Sequence, residues 1–276
     1  MTTLVGLNKL SLAHKYGQLF LFVAIIILTQ YKLFIFSYAL LLAMIIYLTI
    51  VANQSRVFVW AMAAYTIGYL VLLYGDRLIE ELPLTISSIM IINRSLLLFP
   101  ILFMVYVIKK FQKNWNLYGL KPNWMATISF PFIWSGFHTV TIRVFLIIAI
   151  SINLAAFIPF LSLAKFNFGD PNFLLFILLF SIINGTLEEI LWRGIVLTRL
   201  VDLAGEKTAV IFSGLGFGLS HLAFGYSWWL CLLFALGGIF YAGITIRSGS
   251  ILPAIIWHIL FNVFMILSGM ITYIGY

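Results

Sequence analysis

The sequence predicts an all-α, polytopic membrane protein with about eight to nine transmembrane helices and a polar cavity in its C-terminal half. Three observations carry that expectation. The chain of 276 residues is 63% hydrophobic and only 9% charged, with a mean hydropathy of +1.13, far from the composition of soluble domains. Its apolar residues recur in runs close to the roughly 20 residues that a helix needs to cross a bilayer. Of its 8 acidic residues, only the adjacent Glu188 and Glu189 lie well inside such a run. The other six, Asp76, Glu80, Glu81, Asp170, Asp202 and Glu206, fall in polar breaks.

Taken in order, Leu19–Thr29 is a short apolar run with no small-residue cleavage site after it, so it reads as a first span and not as a removable leader. Leu33–Ala52 and Val57–Tyr74 are clear spans. Leu84–Ile108 is interrupted by Asn93-Arg94 and reads as a kinked span, or as a surface helix leading into one, with Arg94 at a helix interface. Residues 1–108 thus form an N-terminal set of helices without an assigned role. Residues 109–143 form a basic, aromatic connector. In it Leu117–Pro122 reads as a turn, and Trp124–Trp134 as an amphipathic stretch near the membrane surface. Residues 144–276 carry the remaining spans, Val144–Leu163, Phe173–Leu200, Thr208–Phe224, Trp228–Ile246 and Ile251–Leu267.

The net charge of +8 sits mainly in the breaks between spans, which indicates a positive-inside bias and not a nucleic-acid surface. A cytoplasmic N-terminus puts Lys9, Lys15, Arg56, the Lys109–Lys121 cluster, Arg143, Arg199, Lys207 and Arg247 inside, and the acidic 76–81 loop outside. Lys32, Arg77 and Lys165 are isolated exceptions. The single cysteine, Cys231, excludes an internal disulfide and a Cys-rich metal site.

A carboxylate at membrane depth is costly unless it is paired, protonated or in contact with water, and two adjacent ones cost more. Glu189 and Arg193, four residues apart, can form an ion pair on one helical face. Glu188 points about 100° away, on the face of Asn184 and Trp192, and is free for another partner. The alternative is a purely architectural pair facing a cytoplasmic vestibule.

Of the four histidines, His14 and His138 lie near polar segments, whereas His221 and His258 lie inside apolar runs. His258 and Asn262 are four apart and share a face. Counted from the cytoplasmic helix ends at about 1.5 Å per residue, Glu188 and His221 sit about 18 and 20 Å up their helices, and His258 and Asn262 about 10 and 16 Å. The three helices bring their polar groups to similar depth. Gly214-x-x-x-Gly218 allows the close approach this requires.

Glu, His, His and Asn suit two chemistries. A carboxylate with a neighbouring His can take a proton from water, while a second His and an amide donate to the oxyanion formed at a peptide carbonyl. Glu, His and His also match the ligands of a catalytic zinc with water in the fourth position. A His-Glu-x-x-His motif and an intramembrane Asp are both absent.

Glu188-Glu189-x-x-x-Arg193, Phe217-x-x-x-His221 and His258-x-x-x-Asn262 together resemble the three motifs of the CAAX protease and bacteriocin-processing family of intramembrane endopeptidases, over roughly Leu117 to Leu267. The resemblance implies that Glu188 and His221 activate water and that His258 and Asn262 stabilise the oxyanion, with Glu189, Arg193 and Phe217 in support. The family has been described both as metalloproteases and as glutamate-type proteases. Asn262, a poor zinc ligand and a good donor, favours the version without a cofactor. In the other version a single divalent metal such as zinc is held by Glu188, His221 and His258. The implied partners are a membrane-embedded or lipidated peptide and the bilayer of the cell membrane, with no nucleic acid. The competing expectations are a non-enzymatic protein of the same fold, such as a bacteriocin-immunity or scaffold protein, and a proton-coupled transporter.

Overall fold

A computed structural model describes residues 12–51, 56–161 and 169–271, with side chains placed from residue 15 and, in the second helix, up to residue 46. Lys9, Lys165 and the span ends at Ala52 and Leu163 lie outside the described residues. The chain forms α1 (Leu12–Gln30), α2 (Phe34–Val51), α3 (Arg56–Glu80), α4 (Ile86–Ser95) and α5 (Leu98–Lys110). A hairpin of β1 (Thr127–Pro131) and β2 (Gly136–Thr141) follows, then α6 (Ile142–Phe157). Next comes one long rod built from α7 (Pro171–Glu189), a π-helical segment (Ile190–Val196) and α8 (Leu197–Ala204). The last elements are α9 (Glu206–Leu219) with a 3₁₀ turn (Ser220–Phe224), α10 (Trp228–Ser248) and α11 (Leu252–Leu267).

The protein is an all-α, polytopic membrane protein. Among the described residues, five helical stretches are long and apolar enough to cross a membrane: Arg56–Glu80, Ile86–Lys110, Ile142–Phe160, Pro171–Ala204 and Trp228–Ser248. Lys15–Gln30, Phe34–Ile46 and Leu252–Leu267 are shorter apolar helices. The helical part of the expected Thr208–Phe224 span is the 14-residue α9, continued by the 3₁₀ turn. The interrupted run around Arg94 is a kinked span, broken between α4 and α5 at Leu96-Leu97.

The connector differs from expectation. In place of an amphipathic surface stretch, Thr127–Thr141 folds as an antiparallel pair, with Ile128 opposite Val140 and Ser129 opposite Thr139. The β-branched residues Thr127, Ile128, Thr139, Val140 and Thr141 favour a strand, and only every second position needs burial. Ile128 is wholly buried while Thr127 is exposed. Arg247 Nε donates to the Thr127 carbonyl at 2.7 Å and Asn123 N to the Ser248 carbonyl at 2.9 Å, so the hairpin is tied to the end of α10.

Local chemistry sets the helix ends nearest the cavity. Asp170 caps α7 by accepting from Asn172 N at 2.9 Å, with Pro171 at the first helical position. Ser227 caps α10 in the same way, through Leu230 N. Close packing follows from small residues. A Cβ on Gly218 would collide with the Cys231 carbonyl and the Ala235 amide, so α9 and α10 meet backbone to backbone. Gly185 on α7 packs against Ile259 on α11, three residues before Glu188 and one after His258. Cys231 is buried as a free thiol.

Candidate active site

The α7–α11 contact at Gly185 and Ile259 sets the two helices side by side at the height of the acidic pair. His258 Nε2 lies 3.6 Å from Glu188 Oε2. The other ring nitrogen, Nδ1, donates to Glu189 Oε1 at 2.7 Å, since a carboxylate can only accept. The same Glu189 oxygen receives Arg193 Nη1 at 2.8 Å, and Arg193 Nη2 donates to the Gly238 carbonyl at 3.1 Å. Glu189 and Arg193 are wholly buried. Glu189 therefore supports more than the expected i,i+4 ion pair: it also fixes the tautomer and the direction of His258.

Aromatic rings pack this cluster. Arg193 lies over Phe217 and Tyr241, with its guanidinium carbon 4.4 and 5.1 Å from their centroids. Tyr241 stacks on His258 at 5.3 Å, and Phe217 meets His258 edge-on at 5.6 Å. Phe217 also meets His221 at 4.9 Å, and its carbonyl accepts from His221 Nδ1 at 2.9 Å. Phe217 thus touches both histidines and the arginine at once.

A cavity of about 1730 Å³ brings the remaining residues together. Asn184, Glu188, His221, His258 and Asn262 all line it, among a lining otherwise rich in Phe, Ile and Leu. Only His258 comes within ion-pair distance of Glu188 among the described residues. His221 enters the same cavity from the 3₁₀ turn after α9 and is half-buried. Among the described residues that line the cavity, Glu188 Oε2, Asn184 Oδ1, Asn262 Nδ2 and Arg94 Nε are buried without a hydrogen-bond partner. Left unmet, such groups each cost about 1–3 kcal/mol.

Two features depart from the reading by helical faces. Trp192, expected beside Glu188, does not line the cavity; it packs against Tyr65 and Phe217. Trp192 lies in the π-helical segment Ile190–Val196, whose i→i+5 bonding departs from the α-helical register. His138, expected outside the intramembrane cluster beside the aromatic surface stretch, lines the cavity from β2. Tyr241 and Arg94, also part of the lining, carried no motif that would have marked them for this site.

The described residues fit a metal only in part. Glu188 Oε2 and His258 Nε2 are spaced as two ligands of one ion would be, and Glu189 behind His258 resembles the carboxylates that orient metal-bound imidazoles. Yet no group of three or more His, Cys, Asp or Glu among the described residues could hold a metal ion. Glu188, His221 and His258 do not assemble as a ligand triad, and no step below runs through a metal.

Residues 170–264 match the family model of the type II CAAX prenyl endopeptidases, Rce1-like. The match supports assigning this part of the chain to the CAAX protease family. The match spans α7 to α11 and contains every residue of the acidic and imidazole cluster. It begins later than the resemblance read from the motifs, leaving out residues 117–169. No curated protein and no solved structure matches the chain. At the family level the match supports a CAAX protease-type function and suggests a membrane-associated peptide as substrate.

Proposed function

We propose that this CAAX-family protein is an intramembrane endopeptidase that cleaves membrane-inserted or lipidated peptides with an activated water and no covalent intermediate. The observation that carries this reading is the Glu188–His258 pair, 3.6 Å apart in the wall of an apolar cavity and held from behind by Glu189 and Arg193. Glu188 Oε2, unpartnered and facing the cavity, takes a proton from the attacking water. His221 uses Nδ1–H on the Phe217 carbonyl, so in its neutral form Nε2 keeps a lone pair and orients the same water.

The other side of the site supplies donors. Two carboxylates and one guanidinium leave a single negative charge in the cluster. With Nδ1–H held by Glu189, His258 acts as a donor when Nε2 also carries a proton. Asn262 Nδ2, one turn along α11 and unpartnered, is the second donor. Together they receive the carbonyl oxygen as it becomes an oxyanion. Glu188 then passes its proton to the amine nitrogen as the C–N bond breaks, giving a carboxylic acid and an amine. Asn184 Oδ1 accepts a substrate N–H. The N-terminus lies in the cytoplasm of a cell-membrane protein, in keeping with the distribution of lysines and arginines.

The test is reconstitution in bilayers with a membrane-anchored peptide library, cleavage being read by mass spectrometry. Wild type should cut and Glu188→Gln should not, at an unchanged circular dichroism spectrum, because an amide cannot take the proton. Near-normal cutting by Glu188→Gln would remove the general-base role. A wild type that cuts nothing would turn the choice to a scaffold or a transporter.

A further inference from the structure

The turn that carries His221 buries none of its five residues, Ser220–Phe224. At its start Ser220 Oγ and His221 Nδ1 both donate to the Phe217 carbonyl, at 2.7 and 2.9 Å, which ties the imidazole to the end of α9. Its far end is Phe224, half-exposed and followed by Gly225 in the left-handed region at φ 77°. The Phe224 ring meets His221 edge-on at 5.9 Å, and the Arg94 guanidinium carbon stands 4.5 Å from its centroid. Arg94 belongs to α4, in a membrane-spanning stretch outside the segment matched to the family. Its Nε is buried without a hydrogen-bond partner, and no carboxylate among the described residues lies within ion-pair distance. Asp76 of the adjacent helix is engaged by the Asn93 amide. An unpaired cation at such depth lowers stability, so its place there calls for another return.

We propose that Arg94 is a positioning residue for His221: by cation–π attraction it clamps Phe224 and so fixes the turn from which the imidazole enters the cavity. For its effect on turnover the proposal rests on the peptidase reading; the clamp itself does not. A guanidinium 4.5 Å from a ring centroid is well inside the reach of about 6 Å, and the attraction strengthens where water is displaced, as around the buried Nε. The second ring beside Arg94 is Phe180 on α7, at 5.8 Å, which ties the same cation to the helix that carries Glu188. Arg94 thereby links the two elements that bear the water-activating pair, α7 and the turn after α9. The division of labour is clear from the contacts. The Phe217 carbonyl sets which ring nitrogen of His221 is left free, and the Phe224 clamp sets where the turn lies relative to Glu188. Position matters steeply here, since a misplacement of about 1 Å in a catalytic group can cost a hundredfold in rate.

The experiment uses the full chain in nanodiscs as wild type, Arg94→Met, Arg94→Lys, Phe224→Leu and the double variant Arg94→Met with Phe224→Leu. Hydrogen–deuterium exchange at the amides of residues 220–225 reads the turn without any need of turnover. Exchange there should quicken about two- to thirtyfold in Arg94→Met, the equivalent of one cation–π contact. It should quicken alike in Phe224→Leu and no further in the double variant, and Arg94→Lys should keep most of the protection. On a peptide that wild type cuts, kcat should fall in the same variants by up to the same factor, with KM unchanged. Unfolding by sodium dodecyl sulfate should need as much detergent for Arg94→Met as for wild type, or more, because an unpaired buried cation has been removed. A marked loss of stability in Arg94→Met would make Arg94 a structural prop and overturn the proposal. Unchanged exchange of the turn overturns it too, as does a double variant whose loss is the product of the two single ones, since Arg94 then acts apart from Phe224. A rise in KM alone would make Arg94 a substrate contact instead. A wild type that cuts nothing, with exchange as expected, rejects the peptidase and keeps the clamp; cutting with unaltered exchange does the reverse.

Discussion

Replacing Glu189 by Gln should destabilise the protein far more than its distance from any substrate suggests. The carboxylate is wholly buried, and one oxygen serves both Arg193 Nη1 at 2.8 Å and His258 Nδ1 at 2.7 Å. Its neutral replacement leaves the Arg193 guanidinium charged, buried and without a counter-ion, because Gly238 O and the Phe217 and Tyr241 rings supply only dipoles and quadrupoles. Removing one partner of a buried pair costs about 3–5 kcal/mol, whereas replacing both by apolar residues of similar size is often neutral or stabilising. The single variant should therefore lose about 3–5 kcal/mol in reversible unfolding by sodium dodecyl sulfate in mixed micelles. Glu189→Leu combined with Arg193→Met should recover most of that loss.

Activity separates the two roles of Glu189. The double variant, although stable, should still lose turnover, because nothing then holds the His258 ring by Nδ1. A single variant as stable as wild type would show that Arg193 is neutralised elsewhere. A double variant less stable than the single one would show that the pair holds the helices together by more than charge. Full turnover in the stable double variant would refute the orientation of His258 by Glu189.

Two further outcomes test the chemistry. Asn262→Ala should lower kcat by about 10²–10³, the usual loss for one oxyanion donor, with little change in KM because the bond strengthens only in the transition state; Asn262→Asp should be as poor or worse, and turnover at the wild-type level in Asn262→Asp would reduce Asn262 to a packing amide. Strong chelators should leave cleavage intact and metal analysis should find zinc well below one per chain, whereas stoichiometric zinc lost and restored together with activity would make Glu188 and His258 ligands and require His221 to move toward them.

The part of the site that was legible from sequence is the part governed by cost. Glu188, Glu189, Arg193, His221, His258 and Asn262 stand out because polar groups at membrane depth are expensive, and helical spacing puts Glu189 with Arg193 and His258 with Asn262 whatever the tertiary fold. The long apolar helices were legible for the same reason. The hairpin was not, because its aromatic residues read as an amphipathic surface stretch until cross-strand partners are known. The π-helical segment was not legible either: the pattern Ile190–Val196 fits an ordinary α-helix, and only the structure shows Trp192 turned away from Glu188.

What sequence left open was which imidazole Glu188 meets, and this depends on how α7 and α11 pack. Gly185 lets Ile259 approach, which brings His258 within ion-pair distance of Glu188 and leaves His221 to enter from a separate turn. Neither relation has a spacing signature, since each joins residues more than 30 positions apart. Arg94 is the extreme case. Its sequence context, a lone cation breaking an apolar run, fits a helix interface as well as a ligand site. Only the placement of α4 against α7 sets its guanidinium over Phe180, in the cavity that holds Glu188. In the proposed reaction the segment matched to the family carries the base and the oxyanion donors, while α4 contributes to the cavity wall.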